Sequence, residues 1–171
     1  MHHLMNIAHR PDAVMKHGRG SYLWDENGRR YLDWLQGWAV TNLGHAHAAV
    51  TTALQQQAAS LLTPSPGLWN RPMLDAAAAW CGATGFDALC FTSSGAEANE
   101  AAVKLARKWG RLNGVGNGTI CTLHGSFHGR TLAMMAASAK AGWADMYPPR
   151  IPGFVHAPGH DLDALADVLT P

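Results

Sequence analysis

What this chain lacks narrows its uses before any motif is found. No run of Lys or Arg exceeds a pair and the formal net charge is only +1, so there is no phosphate-neutralising face of the kind a nucleic acid demands. No stretch of roughly 18 apolar residues occurs, and the N-terminal MHHLMNIAHRPDAVM has neither a long apolar centre nor a small-residue cleavage site. The expectation is a soluble cytoplasmic protein with no nucleic-acid and no membrane partner. Cysteine is scarce. Cys81, Cys90 and Cys121 are widely spaced in apolar contexts, which reads as three buried free thiols in a reducing compartment. No metal is expected either, because His45/His47 and His124/His128 have usable spacings but no cysteine or carboxylate partner close by in sequence. Internal repeats and low-complexity linkers are absent. GSFHG fails as a nucleophile elbow, its serine being second in the glycine frame, and NGVGNG precedes a strand without a following Gly-Lys-Ser/Thr, so it reads as a turn.

What is present suits one domain of ordinary size: 171 residues, 47% hydrophobic and 15% charged. In GSYLWDENGRRYLDWLQG two roughly alternating aromatic-rich runs flank Asn27-Gly28, which predicts an antiparallel hairpin. GWAVTNLGHAH continues as irregular chain. HAAVTTALQQQAASLL has helical apolar spacing and stops at TPSPG, and RPMLDAAAAWCG opens a second helix with an early proline. From there short apolar runs and helices alternate: FDALCFTS strand, GAEANEAAVKLARKWG helix, GTICTLHG strand, RTLAMMAASA helix, GFVHAPG strand, DLDALADVL helix. That order predicts a three-layer α/β domain with parallel strands and right-handed crossovers. Ligands of such sheets bind at the carboxyl ends of the strands. TSSGAE and LHGSFHGRT are both strand-to-helix turns and should face a common crevice.

The turn at FTSSGAEANEAAVKLARKWG supports two readings. In one, Ser94 caps the helix and Glu97 returns the bond to the Ser94 amide, a capping box worth on the order of 1 kcal/mol. The helix itself puts Ala101, Leu105 and Trp109 on one stripe with Lys104, Lys108 and Arg111 outside. In the other, a phosphate docks on the unpaired amides at the positive end of the helix, and Gly95 lets it approach the backbone. The second turn bears on the choice. HGSFHGRT sets Phe127 among small residues with Arg130 three positions on; singly they read as core and as surface charge. Beside a phosphate turn they describe a cradle for a planar phosphorylated cofactor, with an arginine fork for a substrate carboxylate.

GRGSYLWDENGRRYLDWLQGWAVTNLGHAH, FTSSGAEANEAAVKLARKWG and SFHGRTLAMMAAS resemble, in order and spacing, the N-terminal part of the class III aminotransferases, most closely their acetylornithine branch, from about Arg10 to the end of the chain. The resemblance implies the N-terminal part of a fold-type I pyridoxal-phosphate-dependent transferase, a hairpin-bearing small-domain segment over residues 1–48 and an incomplete large α/β domain over 49–171. It implies pyridoxal 5'-phosphate, with Ser94, Gly95 and Ala96 at its phosphate, Phe127 stacked on its ring and Arg130 on the substrate α-carboxylate. It implies a homodimeric enzyme of arginine biosynthesis that moves an amino group from N-acetylornithine, or a related ω-amino donor, to 2-oxoglutarate. Two departures stand out: Ser93 replaces the usual Asn, and the Schiff-base lysine and the aspartate on the pyridinium nitrogen lie beyond this chain. Lys16, Lys104, Lys108 and Lys140 are its only lysines, and none has the expected context. The expectation is a truncated portion with no catalytic residue of its own, inactive alone; the alternative is a non-enzymatic remnant that binds cofactor phosphate or pairs with a full-length subunit.

Overall fold

Aromatic and aliphatic residues that pair as strands, separated by Asp, Asn and Gly that turn them, shape the start of the chain. In the structure, a computed structural model that describes residues 3–116, 118–143 and 146–169, β1 (Met15–Arg19), β2 (Tyr22–Asp25) and β3 (Arg30–Leu32) form an antiparallel sheet in that order. The expected hairpin is β2–β3, with Tyr22 opposite Leu32 and Trp24 opposite Arg30. Gly28 takes φ 81°, a conformation that favours glycine. Asp25 closes the turn: Oδ1 accepts from the Asn27 amide at 3.0 Å and the Arg29 amide at 2.8 Å, and Oδ2 accepts from the Tyr31 hydroxyl at 2.8 Å. Desolvation pushes the Asp25 pKa up, but the Tyr31 hydroxyl and the two amides outweigh it and hold the carboxyl below its ordinary value. Nothing in the pattern of MKHGR announces β1; pairing with β2 makes it a strand.

After β3 comes a four-residue turn, α1 (Gln36–Ala39), of left-handed sense, with φ 48°, 62°, 63° and 62° at Gln36, Gly37, Trp38 and Ala39. Each non-glycine residue in that region costs about 1–2 kcal/mol, so the surroundings have to hold it. Asp33 does so. Its Oδ1 accepts from the amides of Leu35 and Gln36, both at 3.0 Å, and its Oδ2 meets His45 Nε2 at 2.7 Å. The His45 bond, then the Gln36 amide, keep the Asp33 carboxyl below the usual range. α2 (Ala48–Ala58) stops one turn short of the Leu61-Leu62 predicted within it, and α3 (Arg71–Thr84) starts at Arg71-Pro72 as the early proline requires. The chain divides into two units, Met1–Ala76 and Ala77–Pro171.

The second unit is built from α4 (Gly95–Leu112), β4 (Ile120–Leu123), α5 (Leu132–Ala137), β5 (Phe154–Ala157) and α6 (Leu162–Leu169), with β4 and β5 parallel as the alternation predicts. Its core is small. Met134, Ala136, Ala137 and Ala157 are buried, and with them Thr122 and Ser138, whose hydroxyls donate at 2.7 Å to the carbonyls of Ala137 and Met134. Three expectations are corrected here. Residues 86–93 form no strand, because a strand exists through its ladder and this exposed segment finds no partner among the described residues. The stripe of α4 through Leu105 and Trp109 is uncovered, at 70% and 59% exposure; the covered side runs through Ala96, Asn99, Glu100, Val103, Arg107 and Gly110. The thiols are free but not buried, Cys90 being exposed in the unpaired segment and Cys81 and Cys121 half-buried.

Candidate functional site

The direction of α4 places the site. At its C-terminal half Arg107 donates from Nε to the Gly118 carbonyl at 3.0 Å and from Nη2 to those of Pro152 and Gly153 at 3.3 and 3.1 Å, and lies 5.1 Å from the Phe154 ring centre. Those carbonyls stand where the chain enters β4 and β5. The other end of α4 therefore lies toward the carboxyl ends of the strands, where the loop after β4 leads into α5. Strand-end turns and a helix N-terminus meet there.

Ser94 caps α4 with extended backbone, its hydroxyl accepting from the Glu97 amide at 3.2 Å and donating to Glu97 Oε2 at 3.1 Å. Only the Ser94 half of the expected capping box is formed, because the Glu97 carboxylate accepts from the Ser94 hydroxyl instead of from its amide. Gly95 and Ala96 have no acceptor for their amides among the described residues. Gly95 has no left-handed backbone, and a Cβ placed on it meets nothing within 4 Å. Neither conformation nor packing asks for glycine there. An alanine at this position would serve the fold as well, by up to about 1 kcal/mol better in helix propensity.

The loop between β4 and α5 carries Phe127, 54% exposed, and Arg130, exposed and without an ion-pair or hydrogen-bond partner among the described residues. Between them Gly129 is buried against Ala96, which brings the two predicted turns together. Asn99 Nδ2 donates to the His128 carbonyl at 2.8 Å, and Thr131, the cap of α5, donates to Glu100 at 2.5 Å. A half-buried chain of bonds lies behind the loop. Arg150 Nη2 stands 2.5 Å from His156 Nε2, His156 Nδ1 stands 2.8 Å from Thr122 Oγ1, and Thr122 donates to Ala137. Since Arg150 only donates and the Thr122 proton is used, His156 is neutral with its proton on Nδ1. Burial, then the charges of Arg150, His124 and His128, lower its pKa.

Sequence reasoning missed Lys140, whose Nζ lies 4.9 Å from the Phe127 ring centre and 5.3 Å from that of Trp143. A planar group settling on that face of Phe127 displaces a contact worth about 0.5–1 kcal/mol at an exposed position. No local pattern links Lys140 to Phe127, thirteen residues away. Asn99 and Glu100 were equally hidden, since in sequence they are ordinary helix residues.

Residues 5–167 match the aminotransferase class-III family model. Acetylornithine aminotransferase 2 of Bordetella bronchiseptica is 50% identical over 162 residues, 95% of this chain and 41% of that protein. The crystal structure of ornithine aminotransferase from Toxoplasma gondii superposes with a TM-score of 0.91 at 28% identity, over 98% of this chain and 40% of that one. A second structure of that enzyme, described as having partial occupancy of PLP at its active site, gives 0.89 at 29% identity with the same coverage. The chain spans about two fifths of the length of these relatives.

Proposed function

The chain belongs to the class-III aminotransferases, and on that premise we propose that it is the pyridoxal-phosphate-holding portion of an enzyme that moves an amino group from N-acetylornithine, or a related ω-amino donor, to 2-oxoglutarate in arginine biosynthesis, working as a cytoplasmic homodimer when complete. The observation that carries the cofactor reading is Gly95, a glycine with no conformational or packing cause, beside two unpaired amides at the positive end of an 18-residue helix. These residues fit a phosphate. Gly95 and Ala96 donate to its oxygens, and the absent side chain at Gly95 lets it come close. Ser94 adds its hydroxyl by turning from Glu97. Phe127 offers an exposed ring face for stacking, with Lys140 moving aside, and the free Arg130 fork takes a substrate carboxylate in two parallel bonds. Pyridoxal phosphate, when bound, supplies the electron sink that stabilises negative charge at the substrate α-carbon.

Equilibrium dialysis tests this reading. The chain should retain pyridoxal phosphate and lose pyridoxal, which lacks the phosphate; equal retention of both sinks the phosphate site. In an active assembly containing this chain, Arg130→Ala should raise KM for both the donor and 2-oxoglutarate by the equivalent of about 1.5–3 kcal/mol. Unchanged KM values reduce Arg130 to a surface charge. A second reading, a remnant that pairs with a longer subunit, draws support from the uncovered apolar side of α4 at Leu105, Trp109 and Leu112.

A further inference from the structure

The two turns of the site meet at a residue with no side chain to offer a ligand. Gly129 is buried with φ +136°, and a Cβ built on it would stand 2.7 Å from Ala96 Cβ, 3.0 Å from Ala96 Cα and 3.2 Å from Met134 Cβ. The loop backbone therefore rests directly on the first turn of α4. Two bonds latch it from the α4 side, Asn99 Nδ2 to the His128 carbonyl at 2.8 Å and Thr131 Oγ1 to Glu100 Oε1 at 2.5 Å. From the core side the His128 amide donates to Ser138 Oγ at 2.8 Å, and Ser138 is itself fixed to the Met134 carbonyl at 2.7 Å. His128 and Gly129, the clamped pair, lie between Phe127 and Arg130 in the chain.

From this geometry we infer that Gly129 and Asn99 are positioning residues that set the distance between the phosphate turn at Gly95-Ala96 and the loop that presents Phe127 and Arg130. The inference rests on the cofactor reading above. A ligand whose phosphate and ring are joined by a short rigid link feels that distance, because both ends can be satisfied only at one separation. A ligand that occupies one turn alone does not. At Gly129 the obstacle to any side chain is the backbone and Cβ of Ala96, so the loop itself has to move.

Inorganic phosphate and pyridoxal phosphate, titrated separately into the 171-residue chain, distinguish the possibilities. Gly129→Ala should leave the phosphate dissociation constant within about twofold of wild type and weaken pyridoxal phosphate by about tenfold or more, since displacement of an ångström is enough for such losses. Asn99→Leu, which removes the donor at similar volume and leaves Gly129 in place, should move the two constants in the same unequal way and guards against a Gly129→Ala chain that does not fold. Pyridoxal phosphate affinity within twofold of wild type in a folded variant overturns the inference while the cofactor reading stands. Equal losses of both ligands also overturn it, placing the effect on α4 alone. A wild-type chain that binds neither ligand overturns the cofactor reading and the inference with it.

Discussion

Gly95 and Gly129 sit on facing turns and are glycine for opposite reasons. Gly129 is dictated by left-handed backbone and by Ala96 against it; Gly95 is dictated by nothing within 4 Å. Substituting them separates fold from ligand. Gly95→Ala should leave the urea midpoint unchanged or raise it, by up to about 1 kcal/mol in helix propensity, while the affinity for pyridoxal phosphate falls as a methyl group enters the approach path. Gly95→Val should weaken binding further, with valine costing under about 1 kcal/mol in the first turn. A loss of stability equal with and without cofactor would mean that the turn is a cap and no more. Sequence could single out Ser94, Gly95, Phe127 and Arg130 because their signals are local, a cap followed by a helix and an aromatic and an arginine in one short loop. It could not single out Gly129, Asn99 or Lys140, because their contacts with Ala96, His128 and Phe127 join residues 13 to 33 positions apart.

The elements divide along the same line. α4, β4, α5, β5, α6 and the β2–β3 hairpin follow from periodicity, caps and Asn27-Gly28, all carried within each segment. β1, the absent strand at residues 86–93 and the left-handed turn of α1 depend on a neighbour: on β2, on a missing ladder partner, and on Asp33 and His45. The direction in which α4 faces belongs with these. Its apolar stripe suggested a core side, yet Arg107 and Gly110 are the side that packs, because three carbonyls just ahead of β4 and β5 accept from the guanidinium. The join between β4, β5 and α5 carries a pH dependence. His156 has a lowered pKa in the fold, so the folded state binds fewer protons than the unfolded state between that lowered value and the ordinary 6.5. Stability is full above 6.5 and falls as pH drops through the folded-state pKa, where protonation takes away the acceptor that Arg150 uses. Arg150, His124 and His128 all face it as positive or protonatable groups and deepen the loss. His156→Gln, which cannot take up a proton, should flatten this part of the curve in urea melts run from pH 7.5 to 5; an unchanged slope would assign it to another group.

At the scale of the whole molecule the question is how much chemistry this chain can perform alone. Amino transfer through pyridoxal phosphate needs an amine held against the cofactor aldehyde and an acid partner for the ring nitrogen. Lys16, Lys104 and Lys108 are exposed and lie outside the two turns. Lys140 is the exception in position, since its ammonium lies over Phe127, the ring on which the cofactor is proposed to stack. Its ammonium contacts two aromatic faces and has no ion-pair partner among the described residues. The chain should therefore bind pyridoxal phosphate without turnover of any amino donor. It should also associate as its concentration rises, because Leu105, Trp109 and Leu112 along α4, and Phe86 and Phe91 before it, are exposed to water. Sedimentation over a concentration series reads the association, and a mass that stays monomeric throughout would contradict it. Borohydride reduction in the presence of pyridoxal phosphate, followed by peptide mapping, reads the chemistry. Scattered low-level modification of surface lysines is the expected result; stoichiometric modification confined to Lys140, abolished by Phe127→Ala, would show that this portion of the fold carries its own reactive amine.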